Sequence, residues 1–117
     1  MEAIADVTTL IPVYKSNCER RFADLGPTLL GAHFGRRVVR MDYESCSRKV
    51  PGGRYTPDFE AWLEDGTTVY VEVKGSKRQK GYRDSRSKLR AAAEVYPMFT
   101  WVQVVESEGW TVEVIGG

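Results

Sequence analysis

Two cysteines, Cys18 and Cys46, and a single histidine, His33, are all that this chain of 117 residues holds of the softer metal ligands. Three such residues cannot close a four-ligand structural zinc site. One pair of cysteines 28 positions apart is also no disulfide framework, so free thiols in a reducing compartment are expected. No apolar run approaches the roughly 18 residues of a membrane span. The opening stretch, MEAIADVTTL, is acidic and lacks the basic and long apolar regions of a signal peptide. Repeats, low-complexity tracts and linkers are missing as well. These absences predict a cytoplasmic protein without membrane association, formed by one domain over residues 1–117.

What is present is unevenly distributed. The formal net charge is only +1. Between Lys74 and Arg90, however, eight basic residues (Lys74, Lys77, Arg78, Lys80, Arg83, Arg86, Lys88 and Arg90) meet one acid, Asp84. That block of 17 residues carries +7 and leaves −6 on the other 100. A local excess of this size is the footprint expected of contact with a polyanion.

Hydrophobic periodicity sets out the elements. Ser16 with Glu19 three residues on fits a capping box opening a helix. Cys18, Phe22, Leu25 and Leu29 then share one face of that helix, and Gly26-Pro27 should kink or split it. A first strand is predicted over Arg37–Tyr43, followed by a polar loop at 44–56, a strand pair over 56–75, and a basic loop at 75–82. A second helix is expected from about Asp84 to Tyr96, with Leu89, Ala92, Ala93 and Tyr96 on its apolar face and Arg83, Arg86 and Arg90 on another. Phe99–Glu106 and Trp110–Ile115 close the fold as strands. The expected class is α/β, a mixed β-sheet flanked by helices in the order α-β-β-β-α-β-β. Trp62, Trp101 and Trp110 read as core or sheet-surface residues, and His33 as structural.

The strand pair TPDFEAWLEDGTTVYVEVKG admits two registers. A two-residue Asp-Gly loop sets Asp58 against Val73 and Phe59 against Glu72, mixing charged and apolar residues on both faces. A three-residue loop, a type I turn closed by Gly66 in the left-handed region, pairs 63 with 67. Phe59 then faces Val71 and Ala61 faces Val69, while Glu60 meets Tyr70 and Asp58 meets Glu72. A slip of one residue would put every side chain on the wrong face, so the segregated register is expected. It sets the Cβ atoms of Asp58 and Glu72 about 5 Å apart, with Lys74 one pleat further on. Like charges so placed need a cation between them, either a divalent metal or the side chains of Arg54 and Lys74.

Two converging carboxylates form a hard oxygen site suited to Mg²⁺, with Mn²⁺ as a substitute. Such an ion polarises a phosphodiester oxygen and lowers the pKa of a bound water. An adjacent lysine can hold the attacking water and offset developing charge. The basic segment could seat a phosphate backbone.

Pro57-Asp58 followed by Glu72-Val73-Lys74-Gly75 resembles the PD-(D/E)XK nuclease superfamily, with similarity of layout over roughly residues 15–105. The resemblance implies a restriction-endonuclease-like core. It also implies that Asp58, Glu72, the carbonyl of Val73 and the helical Glu19 hold Mg²⁺, with Asp58, Glu72, Lys74 and Glu19 as the catalytic set and Lys74 serving the water. Lys77, Arg78, Lys80, Arg83, Arg86, Lys88 and Arg90 would contact DNA. Gln79 and Tyr82 stand too close together for the Gln-x-x-x-Tyr helix motif of exonuclease members. The size and motif order look most like small phage-type endonucleases, among them junction-resolving enzymes and the endonuclease subunit of heteromeric transposases. The expected activity is a Mg²⁺-dependent endodeoxyribonuclease acting on duplex or branched DNA with little sequence preference, and the resemblance implies a homodimer. The alternatives are a DNA-nicking subunit of a larger phage or transposon complex with a protein partner, and an inactive DNA-binding module of the same fold.

Overall fold

The computed structural model describes residues 13–116, and the MEAIADVTTL stretch behind the expected lack of a signal peptide lies outside them. Among the described residues, no helix is long and apolar enough to cross a membrane. The elements run α1 (Asn17–Phe34), β1 (Val38–Tyr43), β2 (Arg48–Val50), β3 (Gly53–Tyr55), β4 (Phe59–Leu63), β5 (Thr68–Lys74), α2 (Tyr82–Val95), β6 (Thr100–Glu106) and β7 (Trp110–Gly116). Five strands form a mixed sheet in the order β1-β4-β5-β6-β7, antiparallel throughout except for β5 against β6. Parallel neighbours need a crossover, and α2 supplies it. The α/β class and the mixed sheet are as the periodicity predicts.

Strand alternation divides the core into two layers. Val69, Val71 and Val73 of β5 turn to one face, where Phe22 and Leu30 of α1 pack with Phe59, Val102 and Val104. Tyr70 turns to the other, where Leu89 and Ala92 of α2 pack with Trp101, Val50 and Tyr55. The register of β4 on β5 is the segregated one: Phe59 pairs with Val71, Glu60 with Tyr70 and Ala61 with Val69. The three-residue turn closes with the Leu63 N–H donating to the Thr67 carbonyl at 2.9 Å and Gly66 at φ 91°.

α1 departs from expectation in two ways. It runs unbroken through Gly26-Pro27, although an interior proline costs about 3 kcal/mol. Burying Phe22 and Leu30 completely, at about 1.5–3 kcal/mol each, offsets this. Gly26 also lets the Phe22 ring lie against the backbone, since a Cβ there would sit 2.7 Å from that ring. Second, the buried stripe is Glu19, Phe22, Gly26 and Leu30, with Cys18, Leu25 and Leu29 at its margin. The capping acid therefore points inward.

The predicted loop at 44–56 contains a second, two-stranded sheet, β2 against β3. Each strand is three residues long, too short for a period-2 signal. What holds it is tertiary. Arg48 lies over the rings of Phe99, Tyr70 and Tyr96 at 4.4, 5.2 and 5.2 Å. Its Nη2 donates to the Tyr70 hydroxyl at 2.6 Å. Arg48→Ala should lower stability by about 1–3 kcal/mol through lost cation–π contact and stem packing. The denaturation midpoint measures this, and no change would mean that Val50 and Tyr55 hold the hairpin alone.

Candidate functional site

Four chain segments end at one corner of the sheet. β1 runs antiparallel to β4, so its last residues lie beside the start of β4 and the end of β5. The Glu44 N–H donates to the Asp58 carbonyl at 2.9 Å, fixing that junction. The N-terminus of α1 closes the corner. The result is a cavity of about 480 Å³ lined by Glu19, Glu44, Asp58, Glu72, Val73 and Lys74, with Lys15, Arg54, Tyr55, Gln79 and Lys88 among its other walls. Asp58, Glu72, Lys74 and Glu19 thus share one cavity, as the sequence led us to expect.

Each acid is held by identifiable partners. The Val73 N–H donates to Asp58 Oδ2 at 2.8 Å. N–H and C=O of an extended residue leave a strand on the same edge, so the Val73 carbonyl also faces the Asp58 side. Glu72 is buried; the Tyr55 hydroxyl donates to its Oε1 at 2.6 Å, and Lys74 Nζ lies 3.7 Å from its Oε2. Glu19 accepts from the Ser16 hydroxyl at 2.9 Å and from the Tyr43 hydroxyl at 3.0 Å, so it takes part in the cap and faces the cavity at once.

Burial pushes the Asp58 carboxyl up to about 8, with the Glu72 charge adding and the Val73 N–H opposing. Glu72 is likewise raised by burial, and the Tyr55 hydroxyl and Lys74 work against that rise. The Tyr55 phenol is itself shifted upward by burial and the Glu72 charge, and so stays a donor. A buried and a half-buried acid held this way favour a cation.

The donor chemistry fits a hard divalent ion. Among the described residues, Glu19, Glu44 and Asp58 offer oxygen atoms within 4.8 Å of one another. Sequence reasoning missed Glu44, which stands at φ 45°, a left-handed conformation uncommon for such a residue. Its Oε2 is 2.9 Å from Lys15 Nζ. Glu72 lies beside Asp58 as expected, and its oxygens are also held by Tyr55 and Lys74. Tyr55 was missed too, having been placed in a loop. Arg54, a candidate cation between the acids, is bonded to Ser47.

The basic stripe is only partly free. Lys77, Arg78, Lys80, Arg83 and Arg90 are exposed, and Lys88 pairs with Asp84 at 3.5 Å. Arg86 is engaged inside the fold: its Nη1 donates to Gln103 Oε1 at 2.6 Å, and its Nη2 to Glu113 Oε2 at 2.6 Å. Helical periodicity could not show this, because Gln103 and Glu113 reach α2 from β6 and β7. Gln103 pairs in register with Glu72 on one side and Glu113 on the other, and its buried amide nitrogen has no partner among the described residues. Tyr82 is half-buried and accepts from Arg86 at 3.4 Å.

The sequence matches no protein-family model, and no curated protein and no solved structure gives a significant match to the chain.

Proposed function

We propose that the protein is a Mg²⁺-dependent endodeoxyribonuclease of the PD-(D/E)XK kind, with a restriction-endonuclease-like core, hydrolysing duplex or branched DNA with little sequence preference. One observation carries the reading: Asp58, Glu72 and Lys74 share a cavity with Glu19 and Glu44, although burying like charges together is unfavourable. Asp58, Glu19 and the carbonyl of Val73 would hold the ion, with Glu72 or Glu44 completing the set. When bound, Mg²⁺ supplies polarisation of a phosphoryl oxygen and a more acidic water. Lys74, its ammonium beside Glu72, is the group on this chain suited to hold the attacking water and offset charge on the phosphate oxygens. Tyr55 keeps Glu72 oriented, and the Val73 N–H keeps Asp58 oriented. The exposed cations Lys77, Arg78, Lys80 and Arg83 lie in the segment following Gly75, placed to receive the phosphate backbone.

The test is cleavage of a four-way junction, linear duplex and single-stranded DNA by the pure protein with Mg²⁺ or Mn²⁺. Lys74→Ala should lower the rate by about 10²–10⁴-fold. Glu72→Gln should abolish cutting while DNA binding holds or improves, because a negative charge is removed. Paired symmetric nicks in the junction support a resolving enzyme. Tight binding without cutting of any substrate would point to a partner-dependent subunit or a binding module.

A further inference from the structure

We propose that the outward face of the β2–β3 hairpin is a second phosphate-contacting surface, with Arg54 and Lys49 gripping the backbone of the duplex presented to the acidic cavity. The identity of the ligand rests on the nuclease reading; the surface itself rests on the geometry of the hairpin.

The hairpin has three cross-strand pairs, Arg48 with Tyr55, Lys49 with Arg54, and Val50 with Gly53. Directly opposite residues share a face. Val50 and Tyr55 are buried against α2 and Trp101, and Arg48 is enclosed by aromatic rings, so the first and third pairs turn inward. The middle pair turns outward, and both Lys49 and Arg54 are exposed. Two like charges directly opposite destabilise a strand pair. Among the described residues, neither cation forms an ion pair that would relieve this. An outer polyanion would.

Arg54 is also aimed. Its Nε donates to Ser47 Oγ at 3.1 Å and its Nη2 to the Ser47 carbonyl at 2.9 Å. A guanidinium has five N–H donors, so three remain on a fork already held in place, the arrangement that suits a phosphate. Arg54 and Thr56 line the same cavity as Asp58 and Glu72, and Gln79 and Lys88 line it from the basic segment and α2. A backbone whose phosphodiester reaches the acids must therefore pass Arg54. The tip, Pro51-Gly52-Gly53, carries no acid and no bulky side chain to repel it.

The experiment measures binding of a linear duplex by fluorescence anisotropy in EDTA, between about 50 and 200 mM salt. It compares the parent with Arg54→Gln, Lys49→Gln and the double variant. Each phosphate contact contributes about 0.9 to the slope of log K against log salt. The double variant should therefore be shallower by roughly 1.8, with each single change giving about half. Arg36→Gln serves as the comparison, since Arg36 is paired with Asp65 at 2.9 Å by the β4–β5 turn, at the far end of the strands; its slope should equal the parent's. An unchanged slope in the double variant overturns the proposal, and so does an equal drop in Arg36→Gln. Lys49→Gln removes an opposed charge and breaks no side-chain ion pair, so its melting temperature should stay level or rise, which separates lost contact from lost fold. Because cleavage plays no part, a protein that never cuts yet shows the drop loses only the nuclease reading. A protein that cuts with an unchanged slope loses only the hairpin surface, and one that binds no duplex loses both.

Discussion

Asp58→Asn should make the metal-free protein more stable at pH 8 and reduce Mg²⁺-dependent cleavage by at least about 10²–10³-fold. The two effects have opposite signs because the carboxylate is held where its charge is unfavourable. Burial and the neighbouring Glu72 push the Asp58 carboxyl up to about 8, against 3.8 for an ordinary aspartate. Between those values the folded chain binds more protons than the unfolded chain, so stability falls as pH rises through the interval. Glu72, also raised, works in the same direction. Asparagine keeps an oxygen to accept from the Val73 N–H and carries no charge. Melting curves in EDTA from pH 5 to 8.5 should thus decline for the parent and run flatter for the variant. Adding Mg²⁺ should restore the parent most at the alkaline end, since a ligand that binds only the folded state stabilises it by mass action. A variant that melts below the parent at pH 8, or that cuts DNA at the parental rate, would remove Asp58 from this role.

Trp101→Ala is expected to be the most damaging change away from the cavity. The indole is fully buried, stacks on Tyr70 with ring centroids 4.6 Å apart, and lies 6.4 Å from Tyr55 and from Phe99 and 6.3 Å from Tyr96. Its Nε1 donates to the Tyr96 carbonyl at 2.9 Å. Truncation leaves a cavity and removes one of the two donors to the Tyr96 carbonyl, which keeps the Phe99 N–H at 3.2 Å, for a loss of about 3–5 kcal/mol, which is a large part of the 5–15 kcal/mol typical of whole domains. Tyr55 would lose its backing at the same time, so Glu72 would lose a positioned donor. The denaturant midpoint reads the first consequence. Trp101→Phe should restore most of the stability, and a loss below about 1 kcal/mol in Trp101→Ala would mean that the surrounding rings close the gap.

The sheet was legible in the sequence where alternation was long. Val69, Val71 and Val73, with the Glu-Asp-Gly turn, fix the β4–β5 register and so bring Asp58 towards Glu72. Leu89 and Ala92 fix the inward face of α2. Features decided by distant contacts could not be read. Glu44 is one acid in a polar stretch until β1 pairs with β4 and lays it beside Asp58. Tyr55 becomes a partner of Glu72 only once the hairpin folds back, and the hairpin exists because one ring from β5 and two from the turn between α2 and β6 enclose Arg48. Arg86 looked free on a helical wheel, yet Gln103 and Glu113 claim it from strands later in the chain.

The parallel pairing of β5 with β6 also sets an order of events during synthesis. α1, β1, the small hairpin, β4 and β5 can emerge and pair by short connections, but β5 keeps a bare edge until α2 and β6 have followed. Glu72 and Lys74 lie on that strand, and Gln103 and Trp101 arrive only with β6. Pairings between distant positions in a chain form slowly, and an N-terminal portion emerges long before its late partners. The acidic corner is thus assembled late. A growing chain therefore passes most of its synthesis before the strand that carries Glu72 and Lys74 is paired along both edges.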